Sequence, residues 1–284
     1  MSLPTFRSPH PRVQDVVVSF PRPHVLLVTL NRPKQLNAIP SAQHYGLERL
    51  YDWFDGEPSL RCAVVTGAGR AFCAGADLKE WNQRNHAASA ASAATRAESS
   101  MRWPPSGFGG LSNRRGKKPI IAAVNGLCLG GGMEMAINTD LVVAAEDAKF
   151  GLPEVTIGVV AVAGALPRLV RTVGLKRASE MALTGRTFSA AAMKEWGVVN
   201  AVVPTSRVLD EALRLAEDIA ANSPDSIIVT RQGLRLGWEA IGPHEGTLEL
   251  GEGMYAKIDA GENMREGVES FVKKRRPTWK DSKL

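Results

Sequence analysis

The sequence predicts an α/β protein made of repeated strand-strand-helix units, closed by a helical C-terminal region. Short apolar runs of strand length, set off by Gly- or Pro-containing turns, alternate with stretches of helical spacing as far as about Pro204. From Ser206 the pattern changes. Val208, Leu209, Ala212, Leu213, Ala216 and Ile219 form one apolar stripe at helical spacing, which is more often core or subunit interface than a ligand site. With 284 residues, 44% of them hydrophobic, the chain can build one large core and an appended helical piece, divided at 1–205 and 206–284.

Val16 to Phe20 and Val25 to Leu30 read as a hairpin turning at Pro21 to Pro23. After Asn31-Arg32-Pro33 and Asn37-Ala38 a helix is expected from about Ser41 to Phe54. Arg61 to Thr66 is the next apolar strand. It is followed by a Gly67-Ala68-Gly69 turn and a bend of small residues, Ala71-Phe72-Cys73-Ala74-Gly75-Ala76-Asp77-Leu78. Residues 82–118 contain the run A-A-S-A-A-S-A-A, then Trp103-Pro104-Pro105-Ser106-Gly107 and basic Arg114 to Lys118, a composition that suggests a mobile loop with a marginal helix. Ile120 to Val124 reads as a short buried strand, Asn125-Gly126 as a turn, and Gly131 onward as a helix through Met135, Ala136 and Ile137.

The chemistry is concentrated at Gly130-Gly131-Gly132-Met133-Glu134. Three residues without side chains let backbone N–H groups approach a ligand closely. A helix starting there aims its unpaired N–H groups and the positive end of its dipole at whatever lies in front, with Glu134 about one turn in. An enolate oxygen is served by such a site as well as a phosphate is. The plainer reading is that the glycines only permit tight packing and Glu134 is a solvated first-turn carboxylate. The small-residue bend at 71–78 shifts the balance, because it offers a second set of exposed backbone amides, and two amide sources facing one oxygen make an oxyanion hole.

At this point the chain resembles the crotonase family, the enoyl-CoA hydratase/isomerase superfamily, over most of its length. Four segments carry the likeness in order and spacing: A-F-C-A-G-A-D-L at 71–78, I-A-A-V-N-G-x-x-L-G-G-G-M-E at 121–134, F-G-L-P-E at 150–154 and F-V-K-K-R-R-P at 271–277. The resemblance implies the crotonase fold, in which β-β-α units wind into a spiral core and the C-terminal helices build trimers, commonly paired into hexamers. It assigns the oxyanion N–H groups to Ala76 and Gly131 and the two catalytic carboxylates of a hydratase to Glu134 and Glu154. Further substrate contacts are implied at Ala74, Asp77, Leu78, Gly130, Phe271 and Lys274. The reaction implied takes CoA as part of its substrate and needs no metal or redox cofactor.

Hydration of a 2-enoyl thioester requires a base to activate the water attacking Cβ, an acid to protonate Cα, and stabilisation of charge on the thioester oxygen. Glu134 suits the water and Glu154 suits Cα, although the family leaves that division open. One carboxyl must hold a proton when the other does not, so burial or the neighbouring carboxylate has to raise one of them above about 4.3. Glu154 has its own plainer reading, a surface residue ending the Phe150-Gly151-Leu152-Pro153 turn. Isomerases of the superfamily often retain only the later carboxylate, so Glu134 favours hydratase over isomerase; an isomerase, or a dehydratase in a specialised acyl-CoA pathway, is the alternative enzyme. One departure stands out. Where many family hydratases read P-G-A-G-G-T-Q-R-L, this chain reads A-V-A-G-A-L-P-R-L at 161–169, a bulkier and more apolar wall that leaves the acyl group undetermined. The 82–118 segment lies over the acyl pocket in this fold, where it would shape chain-length preference, or else it is inert surface.

Other chemistries are excluded by missing patterns. The dinucleotide fingerprint begun by Gly67-Ala68-Gly69 meets Phe72 at its third glycine position, and there is neither a nucleophile elbow nor a P-loop. The five histidines are scattered without metal-ligand spacing, and Cys62, Cys73 and Cys128 suit reduced thiols. No apolar run reaches the roughly 20 residues of a membrane span. Met1 to Gln14 faintly resembles a transit peptide, but Pro4, Pro9 and Pro11 would break its helix, which leaves a frayed lead-in. Ser282-Lys283-Leu284 is an S-K-L peroxisomal address for an import receptor when it stands at a free C-terminus, or else an accidental polar tail. The net charge of +6 is concentrated partly at Lys273, Lys274, Arg275 and Arg276, which either neutralise CoA phosphates, in a neighbouring subunit by the resemblance, or face water. A CoA-thioester or RNA binding protein without turnover is the alternative of another class. The chain lacks the interleaved aromatics or RNP-like pattern of an RNA binder.

Overall fold

The computed structural model describes residues 6–89, 103–239, 241–259 and 261–284. Its first strands, β1 (Val16–Arg22) and β2 (Val25–Leu30), form the expected antiparallel hairpin. The turn comes later than expected, at Pro23 and His24, with His24 at φ +63°. β1 runs on through Pro21, and the register shifts between Ser19 and Arg22, where a residue without an N–H cannot serve the ladder. From β2 the chain crosses over through helix α1 (Ser41–Gly56) to β3 (Cys62–Gly67), which lies parallel to β2. β5 (Ile120–Val124), β7 (Leu141–Ala145) and β10 (Ala201–Val203) extend the sheet in parallel, in the order β1-β2-β3-β5-β7-β10. Every residue of β3 and β5 is buried, the reason both read as unbroken apolar runs.

A second sheet is made of three-residue strands: β4 (Ala71–Cys73), β6 (Leu127–Leu129), β8 (Lys149–Gly151) and β9 (Thr187–Ser189), in the order β4-β6-β8-β9. The chain therefore visits the large sheet, then the small one, and then turns away, three times in succession. The segment read as a small-residue bend contains β4, and β6 lies just after the Asn125-Gly126 turn, where no strand was expected. Three residues are too few for a period to register.

Helix α1 buries Leu47, Leu50, Tyr51 and Phe54, each side chain contributing about 1.5–3 kcal/mol of transfer free energy. Its C-terminal end is capped by buried Lys118, whose Nζ donates to the carbonyls of Phe54 (2.9 Å) and Glu57 (2.5 Å). Burial lowers that ammonium to about 8. Arg114 pairs with Asp55 at 2.6 Å. The basic run at 114–118 is thus partly structural, and Trp103 to Lys118 is mostly buried rather than a mobile loop or inert surface. Residues 90–94 of the alanine/serine run fall outside the described residues.

Helix α2 (Leu78–Ser89) follows β4, α3 (Gly131–Asn138) follows β6, α4 (Ala165–Val173) and α5 (Leu175–Thr184) follow β8, and α6 (Ala190–Glu195) follows β9. Helix α7 (Val208–Ala220) lies on β3, β5 and β7 and buries Val208, Ala212, Leu213, Ala216 and Ala220. Leu209, expected on that stripe, is 36% exposed, because it lies about 100° around the helix from Val208. The chain ends in α8 (Pro224–Trp238), α9 (Pro243–Glu252) and α10 (Glu262–Val272). Among the described residues no helix is long and apolar enough to cross a membrane.

One buried side chain ties the loops together. Asn37, at φ +56°, donates from Nδ2 to the carbonyls of Ala68 (2.9 Å) and Ala71 (2.7 Å) and accepts from the Arg32 N–H (2.8 Å). Asn37→Ala leaves these groups without their partner at a backbone angle alanine disfavours, so unfolding free energy should drop by roughly 2–4 kcal/mol in urea titration.

Candidate active site

β4, β6 and β8 are parallel, with Ala71 and Cys73 beside Leu127 and Cys128, and Leu129 beside Gly151. Their C-terminal ends release Ala74 to Asp77, Gly130 to Glu134, and Pro153 to Ile157, the last as a 3-10 turn. All three segments line one cavity of about 240 Å³. The carboxyl ends of parallel strands are where open α/β sheets hold ligands.

Glycine is required where the first two segments touch. Gly75 has φ +98°, and a Cβ there would sit 3.3 Å from the Gly131 nitrogen and 3.2 Å from the Leu129 carbonyl oxygen. Gly130 has φ +55°, and its Cβ would lie 3.1 Å from Glu154 Oε1. These positions are strained for any L side chain. Ala76 and Gly131 both line the cavity, and among the described residues neither donates its backbone N–H in a hydrogen bond. For Gly131 this follows from its place as the first residue of α3.

Glu134 is 3% exposed, not a solvated first-turn residue. Its Oε1 accepts from the N–H groups of Ala163 (2.9 Å) and Ala165 (3.2 Å). Burial, and then the nearby Glu154 carboxylate, push Glu134 up to about 7, against the opposing pull of these N–H groups. Glu154 is half-buried and raised by burial. Its Oε2 is buried and has no hydrogen-bond partner among the described residues. The cavity is thus lined by two residues whose backbone N–H groups have no partner among the described residues and by two carboxyls whose protons are held more tightly than in water, a set suited to polarising a carbonyl and moving protons beside it.

Among the expected substrate contacts, Ala74, Leu78 and Gly130 line the cavity. Asp77 does not. Its carboxylate is held by Arg32 at 2.9 Å and caps α2, accepting from the N–H groups of Lys79 (3.1 Å) and Glu80 (3.4 Å). Phe271 and Lys274 also lie away from the cavity, Phe271 86% exposed in the last turn of α10. Of the basic cluster, Lys273 and Arg275 pair with Glu269 and Glu266.

Sequence reasoning missed the aromatic wall. Trp81, Trp103 and Phe108 line the cavity together with Val159, Val160, Val162 and Ala163. The Phe108 ring packs so closely on Gly131 that a Cβ there would be 2.6 Å from ring carbons. The unusual 161–169 segment forms the start of α4, supplies both N–H groups to Glu134, and places Val162 in the wall. Only the aromatic residues themselves, within a stretch of low complexity, signalled the wall. No group of three or more His, Cys, Asp or Glu stands together to hold a metal ion among the described residues.

The sequence profile of the family described as "Enoyl-CoA hydratase/isomerase" matches residues 22–282. The chain is 64% identical over 281 residues to the mevalonyl-coenzyme A hydratase of Beauveria bassiana, covering 99% of this chain and 100% of that one. It is 53% identical over 275 residues to the mevalonyl-coenzyme A hydratase of Aspergillus fumigatus, covering 97% and 98%. The crystal structure of enoyl-CoA hydratase from Mycobacterium tuberculosis H37Rv superposes with a TM-score of 0.82 at 34% identity, covering 94% of this chain and 99% of that one.

The Glu134 environment has a consequence for stability. Folded, the carboxyl keeps its proton up to about pH 7, whereas the unfolded chain releases it near 4.5, so the folded state binds more protons between these values and loses stability as pH rises through them. That gap is worth about 3 kcal/mol. Glu134→Gln should therefore be more stable than the wild type at pH 8 by up to about 3 kcal/mol, with the difference closing below pH 4.5. Urea unfolding across pH 4–8 checks this, and equal stabilities at pH 8 would rule out a desolvated carboxylate.

Proposed function

Because the chain belongs to the enoyl-CoA hydratase/isomerase family and is a hydratase of the lyase class, we propose that it interconverts mevalonyl-CoA and the corresponding 2-enoyl thioester. The observation that carries the reaction type is the single cavity shared by Ala76, Gly131, Glu134 and Glu154. The acyl group is argued from the relatives at 64% and 53% identity, named as mevalonyl-coenzyme A hydratases over nearly their whole length.

In the proposed hydration, the thioester oxygen accepts from the N–H groups of Ala76 and Gly131, which withdraw electrons from the conjugated double bond. Glu134, ionised, takes a proton from water as its oxygen bonds to Cβ. The electron pair of the double bond moves to Cα and onto the thioester oxygen, and Glu154 delivers a proton to Cα. The reverse sequence eliminates water. Glu134 at about 7 is near the pH where giving and taking a proton are balanced. Burial of Glu154 favours the protonated form this role needs. Small side chains at Ala74, Ala76 and Ala163 leave room beside the reacting carbons for a methyl branch, while Trp81, Trp103 and Phe108 close the space beyond and favour a short acyl group. CoA enters as part of the substrate, and the steps call for no metal or redox cofactor.

Assembly and location belong to the same proposal. A homotrimer or homohexamer would cover exposed apolar side chains at Leu175, Leu183, Val268, Phe271 and Val272, and could bring Phe271 and Lys274 to the CoA of a neighbouring copy. Peroxisomal import would read Ser282, Lys283 and Leu284. Ser282 is buried, Lys283 pairs with Glu262 at 2.7 Å, and the Leu284 carbonyl accepts from Lys117 Nζ, so the receptor would first have to lift the tripeptide away. The Lys283–Glu262 pair is exposed and screened by solvent, so it opposes that release only weakly.

Purified protein offered mevalonyl-CoA should yield the 2-enoyl thioester, and the enoyl thioester should return it. A product formed only from 3-enoyl-CoA, or none from any thioester that binds, would defeat this reading. Glu134→Gln and Glu154→Gln should each cut turnover by about 10²–10⁴ and leave CoA-thioester affinity largely intact, and unchanged turnover in both removes the assignment. Removing Ser282 to Leu284 should leave turnover unaltered and disperse a tagged copy into the cytosol, whereas persistent import defeats the address.

A further inference from the structure

Ser112 is fully buried, and its hydroxyl joins the two walls of the cavity. The oxygen accepts from the Phe108 N–H at 2.7 Å and donates to the Ala163 carbonyl, also at 2.7 Å. Phe108 is the ring packed on Gly131, and Ala163 is the residue whose N–H reaches Glu134 Oε1 at 2.9 Å. Pinning the carbonyl of residue 163 limits rotation about the same residue that presents its N–H to the carboxylate. The slot has no slack: a Cβ on Gly107 would come within 2.3 Å of Ser112 Oγ, and one on Gly164 within 2.8 Å of the Ser112 carbonyl oxygen.

The hydroxyl bonds within its own turn to Phe108 and spans 51 residues to reach Ala163, so it joins the segment that carries the ring to the segment that carries the N–H. We propose that Ser112 is a positioning residue for the hydration reaction, its hydroxyl holding the Phe108 ring over Gly131 and the Ala163 N–H on Glu134 in one fixed relation. The proposal rests on the hydratase reading of Glu134. Without the hydroxyl, Phe108 N–H loses its acceptor, the 161–165 segment is released on one side, and the bond that favours ionised Glu134 weakens. The carboxyl then titrates at higher pH, and the water it orients is displaced.

Ser112→Ala and the near-isosteric, weaker donor Ser112→Cys are compared with the wild type and Glu134→Gln, using one enoyl-CoA thioester across a pH series and a thermal melt. In Ser112→Ala, kcat is expected to fall on the order of 10²-fold, the scale of a misplaced reacting group. KM should stay within about threefold, and the midpoint of the kcat profile should move to higher pH. Ser112→Cys should lie between the two, and it decides the question if the alanine variant does not fold. A lowered melting temperature with wild-type kcat and an unmoved midpoint overturns the proposal and leaves Ser112 a structural residue. A wild type without activity, or an active Glu134→Gln, is a separate result: it removes the hydratase reading itself, and this inference with it.

Discussion

The ladder joining β4, β6 and β8 ends these strands side by side, Cys73 beside Cys128 and Leu129 beside Gly151, and whatever follows is delivered to one place. Three segments far apart in the chain thereby become three sides of one cavity. The ladder continues past the strands as a bond from the Gly130 N–H to the Gly151 carbonyl at 3.0 Å, so the start of α3 is fixed to the strand that leads to Glu154. Shifting one strand by a residue would move its chemical groups by more than 3 Å and reverse its side chains.

Electrostatics works against the fold here. Glu134 is carried into an apolar environment by α3, which packs on β4 and β6 of the small sheet and on α4, and the N–H groups of Ala163 and Ala165 offset only part of the cost of charging it there. A carboxyl that holds its proton to about pH 7 is a poor structural residue and a serviceable proton carrier. The unpartnered Oε2 of Glu154 is a second such group, and both face the same space.

Much of the fold was legible because its strands are apolar on both faces. Cys62–Gly67 and Ile120–Val124 need no alternation to be read, and the glycines before Glu134 mark a helix start. β4 and β6 were not legible, since three residues carry no period and their pairing partners lie tens of residues away. The segments bearing Ala76, Gly131, Glu134 and Glu154 could be found from local sequence and from resemblance. Asp77 could not be separated from them, because only the distant Arg32 shows that its carboxylate is already engaged. The aromatic wall and the two N–H groups on Glu134 arise from tertiary packing of 103–112 and 161–165, which no local pattern encodes.

The brevity of the small sheet also dictates an order of events during folding. Strands of three residues have too few ladder bonds to persist alone, so β4, β6 and β8 can settle only after the large sheet has drawn their flanks together across many residues of intervening chain. The cavity is therefore among the last regions to consolidate and the first to loosen. An acyl thioester bound there would draw the closing equilibrium forward by mass action, so that substrate supply and the lifetime of the native enzyme become linked quantities.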